Sequence, residues 1–286
     1  MHRKLAALVL AATTAIGTAT IAPASQAADA KPLRYVALGD SYSAASGVLP
    51  ADPTSPFCLR STRNYPKVIA QKVGASLTDV TCGAAETKDF FTAQHPDVAP
   101  QLDALKANTQ LVTMTIGGND SGVFINTILA CGQEGTLTLG QGHPCKDKYG
   151  ASFENTIRNK TYPSLVKALK AVHTRSPKAE VAILGYPWIT PPTTGCFDKM
   201  PIATGDVPYV HHIQWTLNDA VRRAAAATGT TYVNMNKVST GHDACKPIGV
   251  RWIEPVFQGT NPVIVHPNAL GEARMAARTM RVLGLS

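Results

Sequence analysis

Short apolar runs, each stopped by glycine, aspartate or proline, alternate along the chain with longer stretches in which apolar residues recur every three or four positions. The runs over 33–38, 76–81, 111–116, 181–184 and 231–233 read as strands. Helical spacing marks 65–73, 163–172 through Leu165, Leu169 and Val172, and 213–226 through Ile213, Leu217, Ala220 and Ala224. The clearest helix is C-terminal, where Ala269, Ala273, Ala276, Met280 and Leu283 stay in step. Strands alternating with helices predict a parallel sheet covered on both faces. The expected fold is therefore α/β, a three-layer, flavodoxin-like domain around about five strands. No repeat or low-complexity linker divides it, and the Gly- and Pro-rich pieces 132–150 and 187–209 are expected as loops on the sheet's rim.

The first thirty residues stand apart from this pattern. His2, Arg3 and Lys4 precede an apolar, small-residue run from Leu5 to Ala22, followed by Ser25-Gln26-Ala27 and Ala28-Asp29-Ala30. This is the layout of a secretory signal peptide cleaved after Ala27 or Ala30. Threonines and a glycine dilute the run, and no basic stop-transfer flank follows, so a membrane anchor fits less well. Residues 31–286 remain as a single expected domain, exported and extracellular. Its six cysteines, Cys58, Cys82, Cys131, Cys145, Cys196 and Cys245, then favour disulfides. The chain lacks Cys-x-x-Cys, so a zinc site fits poorly, and about fifteen pairings are open. The formal charge of +8 suits an anionic lipid interface. With basic residues scattered and only 6% aromatics, no nucleic-acid partner is expected.

The chemistry begins where the first strand ends, at Gly39-Asp40-Ser41. In open α/β sheets, ligands bind at the carboxyl ends of the strands. A serine there is a candidate nucleophile if a base and oxyanion donors are near, although alone it reads as an ordinary helix N-cap. Three further strand-end features accompany it. Gly117-Gly118-Asn119-Asp120 brings a side-chain amide, Cys82-Gly83-Ala84-Ala85 an unhindered backbone N–H, and Val265-His266-Pro267-Asn268 an imidazole just before the last helix. Other candidates are weaker. His242-Asp243 with Cys245 fits no usual metal spacing, the pair His211-His212 is expected on a solvated helix face, and His95 and His143 read as loop residues beside proline. Tyr186-Pro187-Trp188 is either apolar surface near an acyl pocket or a packed strand-end cluster.

Together the four blocks resemble the GDSL or SGNH hydrolase family over essentially all of residues 31–286, and within it secreted actinomycete lipases, esterases and phospholipases A1. The resemblance implies Ser41 as nucleophile, His266 as base, and an oxyanion hole from the Ser41 and Gly83 N–H groups and the Asn119 side chain. It implies sequential disulfides, Cys58–Cys82, Cys131–Cys145 and Cys196–Cys245, and a reaction with no metal and no cofactor. One position departs from the family pattern. Where most members carry an aspartate three residues before the histidine, this chain has Val263. A backbone carbonyl from residue 263 or 264, with Val263 the position named, is expected to orient His266, in preference to a remote Asp243 or Glu254. The expected function is a secreted lipase or esterase acting as a monomer on fatty-acyl esters. A phospholipase A1 and a catalytically silent binding protein are the alternatives.

Overall fold

The computed structural model describes residues 31–285; the expected signal peptide lies outside them. Five strands, β1 (Arg34–Ala37), β2 (Ser76–Asp79), β3 (Leu111–Met114), β4 (Glu180–Leu184) and β5 (Thr231–Val233), form one sheet in the order β2-β1-β3-β4-β5. Every neighbouring pair is parallel. All of β3 and all of β4 after Glu180 are buried. Residues pointing to both faces are thus covered, as the unbroken apolar runs require.

The helices are α1 (Ser41–Ala44), α2 (Tyr65–Val73), α3 (Val123–Leu137), α4 (Pro144–Tyr149), α5 (Ser152–Thr156), α6 (Tyr162–Arg175), α7 (Val207–Thr228), α8 (Asn236–Ser239) and α9 (Ala269–Leu283). A π-helical turn, Ile157–Thr161, joins α5 to α6. Helix α6 packs on α7, and α2 on α9. Each end of α2 has a local cause: Asn64 caps the Lys67 N–H, Pro66 fits the first turn, and Gly74 closes the helix at φ +65°. The buried Glu272 of α9 accepts the Tyr65 N–H at 2.7 Å, tying the two helices together.

The expectation of a loop over 132–150 is corrected. Helix α3 runs on to Leu137, and α4 follows, joined to it by Cys131–Cys145. Gly135 is there for close packing: a Cβ on it would lie 2.3 Å from the Pro201 carbonyl oxygen. Helix α7 also begins earlier than its apolar period suggests, at Val207 with Pro208 in its first turn, leaving 187–203 as the irregular rim segment. The other two disulfides are Cys58–Cys82 and Cys196–Cys245.

What places the site is the β1–β3 seam. Ala37 lies opposite Thr113, and the pairing continues past both strands through Leu38 N–H to Thr113 O (3.0 Å) and Asp40 N–H to Thr115 O (2.9 Å). Between those bonds Gly39 adopts φ +122°, held by Gln101 on both its N–H (2.7 Å) and its carbonyl (3.0 Å). A Cβ at Gly39 would lie 2.3 Å from the Thr115 carbonyl oxygen, which is backbone and cannot swing away. Gly39→Ala is therefore expected to destabilise the fold by about 2 kcal/mol or more, read as a lower urea midpoint; an unchanged midpoint would contradict this turn.

Candidate active site

At the carboxyl edge of β1 the chain turns into α1, and Asp40, not Ser41, is its N-cap: the carboxylate accepts the Tyr42 N–H at 3.0 Å. Ser41 is thereby the first helical residue. Its own N–H has no protein acceptor among the described residues, as expected for a first-turn amide.

Asp40 is 1% exposed and satisfied from three directions. Besides Tyr42, it accepts the Thr115 hydroxyl at 2.6 Å from the end of β3 and the Tyr186 hydroxyl at 2.5 Å from the end of β4. Tyr186 in turn accepts the Gly118 N–H at 2.9 Å. The Asp40-Ser41 turn and the Gly118-Asn119 turn are thus fastened to one carboxylate. Burial pushes Asp40 up to about 6, against the downward pull of those hydrogen bonds. Of the two expectations for Tyr186, the packed strand-end cluster is what the structure contains, at 1% exposure. Trp188 stacks on His211 at 4.0 Å.

His266 Nε2 lies 2.7 Å from Ser41 Oγ, and Nδ1 lies 2.7 Å from the Ile264 carbonyl. A carbonyl only accepts, so Nδ1 carries the proton and Nε2 presents its lone pair to the serine hydroxyl. The sequence expectation is corrected by one residue: the orienting carbonyl belongs to Ile264 and not to Val263. The reason is the backbone at Val265, which sits at φ +52° and turns the Ile264 carbonyl back toward the ring two residues on. For a β-branched residue this is a costly conformation, about 1–3 kcal/mol. Burial lowers the His266 pKa below its ordinary 6.5, outweighing the raising effect of the Ile264 bond.

The remote acids are engaged elsewhere. Glu254 forms a buried ion pair with Arg251 at 2.6 Å and accepts Asn268 Nδ2 and Thr260 N–H. Asp243 accepts the Cys245 N–H at 3.0 Å.

The expected oxyanion donors divide. Asn119 Nδ2 gives one hydrogen to the Ala85 carbonyl at 3.1 Å, which leaves the second free. Gly83 is corrected: its N–H donates to the Cys58 carbonyl at 2.8 Å, because the Cys58–Cys82 disulfide pins that turn against the strand end. The turn is closely packed there, since a Cβ on Gly83 would lie 3.0 Å from the Cys58 oxygen and from Ser46 Oγ.

Beside the Ser41–His266 pair stands Phe124, whose ring centre is 6.2 Å from that of His266 and 5.8 Å from that of Tyr42. Phe124 also lines a crevice between α3 and α7, walled by Val123, Ile128, Ile189, Ile213 and Leu217. The amide of Gln214 on that wall is spent on the Ile189 N–H and the Pro187 carbonyl, so it adds no free polar group. The sequence missed Gln101 and Thr115; their partners lie far along the chain or in the backbone, where no motif marks them.

Other histidines of the described residues are engaged away from this pair. His143 meets Asp147 at 2.8 Å on the surface, and His242 stacks on Trp252. His212 is exposed as expected, whereas His211 is half-buried and bonds the Thr190 carbonyl at 2.9 Å.

Residues 37–274 match the GDSL-like lipase/acylhydrolase family. The chain is 59% identical over 286 residues to Lipase 2 of Streptomyces coelicolor, covering 97% of each. Two solved structures, a phospholipase A1 from Streptomyces albidoflavus and an extracellular lipase from Streptomyces rimosus, are each 28% identical with a TM-score of 0.71. Each alignment covers 87% of this chain and 97% of the other.

Proposed function

The chain belongs to the GDSL-like lipase/acylhydrolase family, and from that premise we propose that it is a secreted lipase or esterase that cleaves fatty-acyl esters through a Ser41–His266 pair. The observation that carries this reading is the 2.7 Å approach of His266 Nε2 to Ser41 Oγ, with Nδ1 held on the Ile264 carbonyl. As Ser41 Oγ attacks the ester carbonyl carbon, its proton passes to His266 Nε2. The tetrahedral oxyanion is met by the Ser41 N–H and the free hydrogen of Asn119 Nδ2. Collapse breaks the bond to the leaving alcohol, which takes the proton from His266. Water then attacks the acyl-enzyme by the same route and releases the acid. No metal and no cofactor enters this scheme.

The apolar crevice that begins at Phe124 supports an acyl chain as the group received. Ile125, Leu129 and Leu137 are exposed farther along α3, which suits a lipid substrate better than a polar one. Export is supported by three disulfides and by the leader-like residues 1–30; no helix of the described residues is long and apolar enough to cross a membrane. Residues 31–286 would then be the mature, monomeric domain. A second reading, phospholipase A1, is favoured by the likeness to the Streptomyces albidoflavus enzyme and by the charge of +8.

Three outcomes are expected. Purified protein should hydrolyse long-chain p-nitrophenyl esters and triacylglycerols; hydrolysis of phosphatidylcholine in preference to both would select phospholipase A1, and no ester hydrolysis would leave a binding protein. Asp243→Asn should keep kcat within about twofold of wild type, whereas a thousandfold loss would mean that a carboxylate serves His266 after all. The base must be neutral to accept a proton, and its pKa lies below 6.5. kcat/KM should therefore rise with pH to a plateau along an acid limb centred below 6.5, and a midpoint above 7 would contradict the buried, carboxylate-free imidazole.

A further inference from the structure

Tyr42, the residue next to the nucleophile, reaches across to the histidine loop. Its hydroxyl donates to the Val265 carbonyl at 2.6 Å, a buried bond between residues 223 positions apart. Val265 is the residue in the left-handed conformation, and the two successive carbonyls that follow its Cα are both held. Tyr42 takes its carbonyl, and the next carbonyl, that of His266, accepts the Glu254 N–H at 2.9 Å. The Tyr42 ring, 2% exposed, lies 5.2 Å from the His266 ring and meets Tyr186 edge-on at 5.1 Å. Its backbone N–H is fixed on Asp40. Tyr42 is thus rigid at both ends before it touches the loop.

We propose that Tyr42 is the positioning residue of this hydrolase: its hydroxyl locks the turn at Val265 that presents the Ile264 carbonyl to His266 Nδ1, so that a backbone group replaces the missing carboxylate. A carbonyl two residues away orients an imidazole only if the intervening backbone is fixed, and a valine at φ +52° does not stay there without an external hold. Tyr42 supplies that hold from the helix that carries Ser41. Nucleophile and base are therefore set by one rigid piece, and the spacing of Ser41 Oγ from Nε2 follows from it. This inference rests on the Ser41–His266 reading of the preceding subsection.

The test is Tyr42→Phe, which keeps the ring and removes only the hydroxyl. For a p-nitrophenyl ester, kcat is expected to fall about 10- to 100-fold with KM within about threefold, since the substrate's own contacts are untouched. In proton NMR, the downfield Nδ1–H resonance of His266 should move upfield or exchange away, a signature that mere loss of stability does not produce in a folded sample. Tyr35→Phe serves as the matched control, because it deletes another buried hydroxyl bond, from β1 to Thr113 Oγ1 of β3. The control should keep both kcat and the resonance. Unchanged kcat and resonance in Tyr42→Phe, or the same losses in Tyr35→Phe, would overturn the proposal. Ser41→Ala run in parallel separates the two levels: if that variant stays active, the Ser41–His266 reading fails and this inference with it. If it is inactive while Tyr42→Phe behaves as wild type, the inference alone fails.

Discussion

The buried carboxylate of Asp40 is the interaction on which the rest of the site depends. It lies at the seam between β1 and β3, where the sheet order reverses, and it accepts hydrogen bonds from the ends of three elements: Tyr42 of α1, Thr115 after β3 and Tyr186 after β4. Removing one carboxylate would leave three buried donors without partners, each costing about 1–3 kcal/mol. Through Tyr186 the same group reaches the Gly118 N–H and hence the turn that carries Asn119. The residue beside Ser41 is therefore a structural anchor, and Ser41 is fixed because its neighbour is.

A second constraint concerns the histidine. In a carboxylate-supported arrangement the acid both fixes the imidazole tautomer and stabilises the imidazolium formed during attack. The Ile264 carbonyl does the first and contributes less to the second. Burial then prevails, and the His266 pKa falls. In the proposed pair such a base is weaker but stays neutral, and so competent, over a wider range toward acid pH. Tautomer control by backbone also moves the burden from a side chain to a loop conformation. That explains why a bulky, β-branched Val265 is found in the left-handed region with its carbonyl tied down.

Much of the scaffold was legible because its signals are local. Helix α2 occupies 65–73 as its apolar period suggests, with Asn64, Pro66 and Gly74 marking its limits in the sequence itself. The strands β1 and β3 stop one or two residues before their apolar runs do, because Leu38, Thr115 and Ile116 are buried in the turns that lead to the site. The loop expected over 132–150 failed for a tertiary reason: Gly132 and Gly135 read as breakers, yet α3 runs through both, and it needs glycine at 135 where it passes the 201–203 segment. At the site, Ser41, Asn119 and His266 were marked by motifs, and the structure brings Ser41 and His266 together. Gln101 and Thr115 were not marked, since a single amide or hydroxyl has no periodicity and finds its partner only after folding, and of the two carbonyls offered for His266, at 263 and 264, only the folded loop selects Ile264. Gly83 shows the converse, a motif glycine whose N–H is taken by the Cys58 carbonyl.

The central claim is that Ser41 is a nucleophile activated by His266. The most direct measurement is intact-protein and peptide mass spectrometry after treatment with an alkyl fluorophosphonate, which reacts only with an activated hydroxyl. A single adduct on the peptide containing Ser41, formed rapidly by the wild-type protein and lost in His266→Ala, is the result this account requires. Folded protein that takes up no label, or that is labelled equally without His266, would contradict it.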